Sequence, residues 1–253
     1  MADYFSSLPP MPQIDHGVFG EVSVKALPKN QFIGGKLLTR NALAIPHVTH
    51  HDSIDITLVD SKRRAWNTRF PEAKLTLLPL LIKAMVGALR SYPVFNSSLD
   101  DSGENVVLKH YYNIGIAIDT DKGLVVGVVN GCDRLSVGEI AEQATQLSSK
   151  ARARGLSLGE MSGGGITISS LGDLGGTGFT PIINAPEVAI IGVSRAEYRQ
   201  CFEPGKDPVL KYMLPLSLSY DHRVINGADA GKFMRALQQE LNSDSLLELI
   251  KTD

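Results

Sequence analysis

Cysteine is scarce in this 253-residue chain: Cys132 and Cys201 are the only two, and they lie far apart. That excludes a disulfide-stapled scaffold and offers no paired metal-ligand motif. It points to a reducing compartment, the cytoplasm or, in a eukaryote, the mitochondrial matrix. An excess of positive charge is missing too. Lys and Arg number 25 against 27 Asp and Glu, a formal net charge of -2, so no overall basic field invites nucleic acid. No apolar run is long enough to cross a bilayer. The longest, residues 77–89, contains Lys83 and reads as a buried helix. The start Met1-Ala2-Asp3-Tyr4-Phe5 carries an acid where a signal peptide has a basic stretch, and no apolar core follows. Aromatics are only 6% of residues, yet 43% are hydrophobic and 21% charged. That balance excludes disorder and describes a globular protein of one large domain or two small ones.

Residues 6–12, Ser-Ser-Leu-Pro-Pro-Met-Pro, read as an extended linker, because proline there blocks both helix and ladder. Beyond it the patterning predicts strands over 47–57, 106–118, 124–129, 166–169, 188–193 and 209–220. Helices are predicted over 58–69, 76–91, 229–241 and 245–251. Ser136-Val137-Gly138-Glu139 is a capping box that opens a further helix, closing near Gly155. Strands and helices mix without clean alternation, so the fold class is α/β or α+β, with a mixed sheet flanked by helices.

The segment that carries chemistry is 214–227, LPLSLSYDHRVING. A strand delivers Asp221-His222-Arg223 to its end, and Asn226-Gly227 precede a helix. Polar residues at such junctions are set at pocket mouths by a rigid scaffold. Imidazole is the side chain whose charge ordinarily changes near neutral pH, which suits His222 to proton transfer.

This stretch resembles the D-H-R-x-x-D-G signature of the dihydrolipoamide acyltransferase components of 2-oxo acid dehydrogenase complexes, whose shorter form H-x-x-x-D-G is shared with chloramphenicol acetyltransferase. The resemblance runs from about Phe19 to the C-terminus. It includes Ile45-Pro46-His47-Val48-Thr49, Phe95-Asn96-Ser97-Ser98, Tyr112-Asn113-Ile114-Gly115, Thr167-Ile168-Ser169-Ser170-Leu171-Gly172 and Pro186-Glu187-Val188-Ala189. It implies a terminal extension over 1–18, a catalytic domain over 19–253, and a coenzyme A-dependent acyltransferase fold like that of chloramphenicol acetyltransferase, built as a trimer.

The activity it implies is acyl transfer between a dihydrolipoyl thiol and coenzyme A, with no metal. His222 would be the general base, and Ser169 the donor to the tetrahedral oxyanion, a role whose loss typically costs about 10²–10³ in rate. Ser170 is the adjacent alternative, on the opposite face of the strand. Asn226 would complete the catalytic group; Ser170, Asp221, Gly227 and Arg40 would serve substrate or cofactor binding. In this family the histidine and serine come from different subunits. Trimers assemble into a 24-mer or 60-mer core served by lipoyl domains, a decarboxylase and dihydrolipoamide dehydrogenase. The stretch Gly175-Gly176-Thr177-Gly178-Phe179-Thr180-Pro181 is more similar to acetyl-transferring members, which implies a pyruvate or acetoin dehydrogenase complex.

The chain departs from the family pattern twice. Asn226 stands where aspartate is usual, so it can hydrogen-bond but cannot supply a charge to a cation such as Arg40. Gly127 stands where proline is usual, and it restores an N–H. Thr120-Asp121-Lys122-Gly123 looks like a lipoyl-carrying turn, but it falls inside a block matched to the catalytic core and reads as a plain turn; the lipoyl group must come from another domain. His47, His50 and His51 do not make a metal site, because alternation separates His50 from the other two. Two rival functions remain: a core relative that assembles without turning over, and a free-standing acetyltransferase for a hydroxyl acceptor.

Overall fold

A computed structural model describes residues 9–202 and 204–250. Its helices are α1 (Lys29–Ala44), α2 (Thr57–Arg69), α3 (Leu77–Ser91), α4 (Val137–Arg154), α5 (Gly227–Leu241) and α6 (Asp244–Glu248). Its strands are β1 (His47–Asp55), β2 (Ser97–Leu99), β3 (Val106–Leu108), β4 (Ile114–Ile118), β5 (Val125–Val129), β6 (Ile166–Ser170), β7 (Ala189–Val193), β8 (Glu197–Cys201) and β9 (Val209–Asp221). Residues 9–12 of the expected linker carry no regular structure; the rest of it lies outside the described residues.

The main sheet runs β1-β9-β7-β6-β4-β5, with β8 also on β9. The β4–β6 and β6–β7 pairs are parallel and the others antiparallel, so the sheet is mixed, as expected. The long β9 holds β1 along one edge and β8 then β7 along the other. Its even positions Leu214, Leu216, Leu218 and Tyr220 are buried in the core with Ile166, Ile168, Ile191 and Val193. Strand alternation puts them all on one side. Helices α3, α4 and α5 cover that side, and the Phe233 ring of α5 stacks on Phe95 at 4.1 Å.

Lys83, the one charge in the apolar run, is accommodated without a carboxylate. Its ammonium donates to the carbonyls of Cys132, Asp133 and Leu135. Burial, aided by Arg90, pushes its pKa down. The capping box forms in full. Ser136 Oγ accepts from the Glu139 amide, and the Glu139 carboxylate accepts from the Ser136 amide. Gly155 closes α4 at φ 87°, a conformation that favours glycine.

The odd positions of β9 face the other side. Ser219 bonds Thr49, and Ser217 bonds His51 at 2.9 Å and accepts from the Phe179 amide. The Phe179 ring packs on Gly192, where a Cβ would come within 2.7 Å of it.

Four elements depart from the sequence pattern, among them the short β2, which no expected strand covers. The strand expected over 106–118 is two strands in two sheets. Asn96 interrupts it, donating to the carbonyls of Lys109 and Tyr111 and accepting from the Lys109 amide. Helix α1 was not anticipated: only Asn41 in it is buried, while Phe32, Ile33, Leu37 and Leu38 are exposed, so it has no stripe facing its own core. Strand β8 was missed as well. Its Tyr198 packs on Tyr212 at 4.7 Å, a pairing that only the fold creates.

Candidate active site

The turn after β9 is held from three directions. Asp221 is 2% exposed, and its carboxylate accepts the Arg223 backbone amide at 3.0 Å and the Arg223 guanidinium at 2.6 Å. That partner keeps the Arg223 pKa above its ordinary value. The Asp221 carbonyl accepts the amides of Val224 and Ile225, and the His222 amide donates to Pro46 at 3.0 Å. With the backbone fixed, the His222 ring stands exposed beside Tyr220, at 5.9 Å between ring centres.

Asn226 is the N-cap of α5. Its Oδ1 accepts from the Asp229 amide at 2.9 Å, and its Nδ2 donates to the Asp229 carboxylate at 2.7 Å. Gly227 opens the helix, and a Cβ there would lie 3.7 Å from the Tyr220 hydroxyl, an ordinary contact. Arg40 makes no bond to Asn226. Its Nε and Nη2 donate to Asn41 Oδ1 at 3.1 and 2.9 Å, and it lines a cavity of about 390 Å³ with Asp221 and Arg223. The helix cap already uses both polar ends of Asn226, and Asn41 anchors Arg40 elsewhere.

Ser169 and Ser170 end β6. Thr167 and Ser169 share the side opposite the helices; Ser170 shares the helix side with Ile166 and Ile168. Register then separates the two principal candidates. Ser169 pairs with Gly192 and Gly192 with Ser217, and His222 lies five residues beyond Ser217. At ~3.3 Å per residue and ~4.8 Å per strand, Ser169 and His222 are about 19 Å apart in one protomer. Their side chains together reach less than half that distance, so one protomer cannot place both on one carbonyl.

Sequence reasoning passed over Glu187. It is 4% exposed; its Oε1 accepts from the Thr167 hydroxyl at 2.9 Å and from Asn184 at 3.2 Å, and its Oε2 has no partner. Burial pushes its pKa up to about 7, against the pull of those two hydrogen bonds. The next residue, Val188, accepts the Asp221 amide, so Glu187 sits under the histidine turn. The available signal was an acid between a proline and a wholly apolar strand.

The other polar candidates are structural. The Ile183 amide donates to His47 Nε2, leaving Nδ1 to donate to the Ile45 carbonyl. Cys132 is buried, and burial pushes its thiol up to about 11, which makes it inert. The turn at Thr120 joins β4 to β5, with the Gly123 amide bonded to the Thr120 carbonyl. Gly127 lies in edge strand β5, where a Cβ would meet Leu156 at 3.0 Å.

Comparison with known proteins decides the family. The family described as 2-oxoacid dehydrogenases acyltransferase (catalytic domain) matches residues 26–249. The chain belongs to it. This acyltransferase domain is 47% identical over 238 residues to the acetyltransferase component of the pyruvate dehydrogenase complex of Pseudomonas aeruginosa, covering 93% of the chain and 43% of that relative. It is 49% identical over 226 residues to the same component in Cupriavidus necator, covering 88% and 40%. The domain thus spans about two fifths of the length of these curated relatives. Among solved structures it matches the dihydrolipoamide acetyltransferase of Azotobacter vinelandii with TM-score 0.91 and 44% identity, over 95% of this chain and 100% of that one. That structure comes from a study of a serine, a histidine and an asparagine in the catalytic mechanism. The cubic core of the pyruvate dehydrogenase multienzyme complex matches with the same score and identity. Chloramphenicol acetyltransferase, at TM-score 0.52 and 15% identity, shares the fold, covering 82% of this chain and 94% of its own.

Proposed function

We propose that this domain transfers an acetyl group between a dihydrolipoyl thiol and coenzyme A, and that copies of it form the core of a pyruvate-type dehydrogenase complex. Family membership supports the chemistry, and the relatives' names support the acyl group. In the Azotobacter enzyme the asparagine follows the histidine by four residues, as Asn226 follows His222.

The chemistry needs a base. A free thiol with pKa near 8.5 is mostly protonated at neutral pH. His222 takes the proton as sulfur attacks the thioester carbonyl. The carbonyl oxygen becomes an oxyanion, which the Ser169 hydroxyl stabilises by donating to it. Collapse breaks the original carbon–sulfur bond, and the departing thiolate takes the proton back from the imidazolium. The lipoyl group arrives on another domain, and the decarboxylase and dihydrolipoamide dehydrogenase supply and reoxidise it.

The observation that carries the shared-site form of this reading is the separation of about 19 Å between Ser169 and His222 within one chain. Ser169 must then work with the His222 of a neighbour, as in a trimer. Apolar side chains exposed on α1 and before it, Ile14, Val18, Phe19, Val22, Phe32 and Leu37, offer surface for such a neighbour.

The test is a spectrophotometric assay with acetyl-CoA and free dihydrolipoamide, paired with light scattering. Thioester product from a particle of trimers or larger is the expected result. A fully active monomer would refute the shared site. An assembled particle without product would leave an inert core relative, and faster acetylation of small alcohols would make it a free-standing enzyme.

A further inference from the structure

On the β1 side the backbone of His222 is held by one bond, from its amide to the Pro46 carbonyl at 3.0 Å. No other described residue of the protomer hydrogen-bonds the imidazole, whose ring contact is Tyr220. The aim of the imidazole therefore follows the placement of Pro46.

Pro46 is exposed and lies outside the main core. Its neighbour Ile45 joins Ile183 and Ile190 in a small separate apolar cluster. What ties the segment down is His47, which is half-buried and makes two hydrogen bonds. Its Nε2 accepts the Ile183 amide at 3.0 Å, so that nitrogen carries no proton. Its Nδ1 then donates to the Ile45 carbonyl at 2.8 Å. One ring thus staples the Ile45-Pro46 segment to the loop that precedes β7. Asn41 extends the staple. Its Nδ2 donates to the Ile183 carbonyl at 3.0 Å, and its own carbonyl accepts the Ile45 amide at 3.1 Å. Across the β1–β9 pair, His47 stands opposite Asp221, the residue that clamps Arg223. These bonds are structural in kind, and their consequence reaches the catalytic histidine.

We propose that His47 is a positioning residue for acyl transfer: by bracing Ile45 and Ile183 it fixes the Pro46 carbonyl, and with it the direction in which His222 presents its imidazole to the thiol. The role rests on the acyl-transfer reading and is exerted through the backbone. A base displaced by about 1 Å can lose on the order of 10² in rate. Because His47 acts on the base rather than on binding, the loss falls on kcat.

Steady-state kinetics of the intact assembly with acetyl-CoA and free dihydrolipoamide test this. His47→Gln keeps a polar atom near the Nε2 position and loses the bond to Ile45. His47→Asn keeps one near the Nδ1 position and loses the bond to Ile183. His47→Ala loses both, and should lower kcat about tenfold to hundredfold with KM for dihydrolipoamide within about threefold of wild type. The Gln and Asn variants should each fall between wild type and His47→Ala in kcat. Light scattering and melting temperatures confirm that each variant assembles and folds. A role confined to stability would lower the melting temperature and leave kcat alone. Wild-type kcat in His47→Ala, or a loss that appears in KM with kcat unchanged, would overturn the proposal. If His47→Ala does not assemble, the other two variants carry the test, and wild-type kcat in both would overturn it. A wild type that forms no thioester would overturn the acyl-transfer reading and this role together, whereas an active wild type with unaffected variants overturns this role alone.

Discussion

Glu187→Gln separates charge from shape at a buried site. The carboxyl of Glu187 has an ordinary pKa of 4.5 that burial pushes up to about 7. Lys109 lies nearby, but its ammonium is bonded to the Gly164 carbonyl at 3.1 Å. Between pH 4.5 and about 7 the folded protein holds a proton that the unfolded chain has released. The stabilisation is therefore fully present below pH 4.5 and is lost as pH rises through about 7. At about 1.4 kcal/mol per pH unit the loss amounts to about 3 kcal/mol. Glutamine keeps an oxygen to accept from Thr167 and has no proton to lose. The variant should thus gain about 3 kcal/mol on the wild type between about pH 4.5 and pH 8. Urea unfolding of both proteins across that range measures it, and effects of assembly common to both cancel in the difference. A difference that stays flat with pH, or shrinks as pH rises, would refute the assignment of a buried, proton-holding carboxyl.

His222→Ala should lower turnover by roughly 10²–10⁴ while the particle stays assembled, as removal of a general base does; near-normal activity would remove His222 from that role. Asn226→Ala should cost about 1 kcal/mol of stability through loss of the α5 cap, measured by thermal melting. Asn226→Asp keeps the cap, and its activity should stay within about tenfold of wild type; a larger change in either direction would show that charge at this position matters. Phe233→Ala empties a fully buried site stacked on Phe95 and should cost about 3–5 kcal/mol in denaturant unfolding, whatever it does to catalysis.

How much was legible from the residues varies by element and by reason. The helix over Val137–Arg154 was readable at both ends, because a capping box and a closing glycine are local chemistry. The buried helix over Leu77–Ser91 was readable because its apolar residues dominate any partner it could find. Helix α1 was not, since its apolar residues face away from its own core and leave no one-sided pattern. The break between Leu108 and Ile114 was hidden as well, because the side chain that makes it, Asn96, comes earlier in the chain. Glu187 stands in Pro186-Glu187-Val188-Ala189 with no local pattern that marks it for burial. Its burial depends on Thr167 and Asn184, which meet it only in the folded chain.

The amino-acid order alone determined the family, the mixed sheet and the histidine at the end of a late strand, because motif identity and hydrophobic period are written in neighbouring residues. The tertiary structure decided that Asn226 caps a helix and that Ser169 and Ser170 face different sides of the sheet. It also decided that Ser169 lies far from its own chain's His222. Those outcomes depend on strand register and on which distant segments cover each face of the sheet, and no local pattern encodes either.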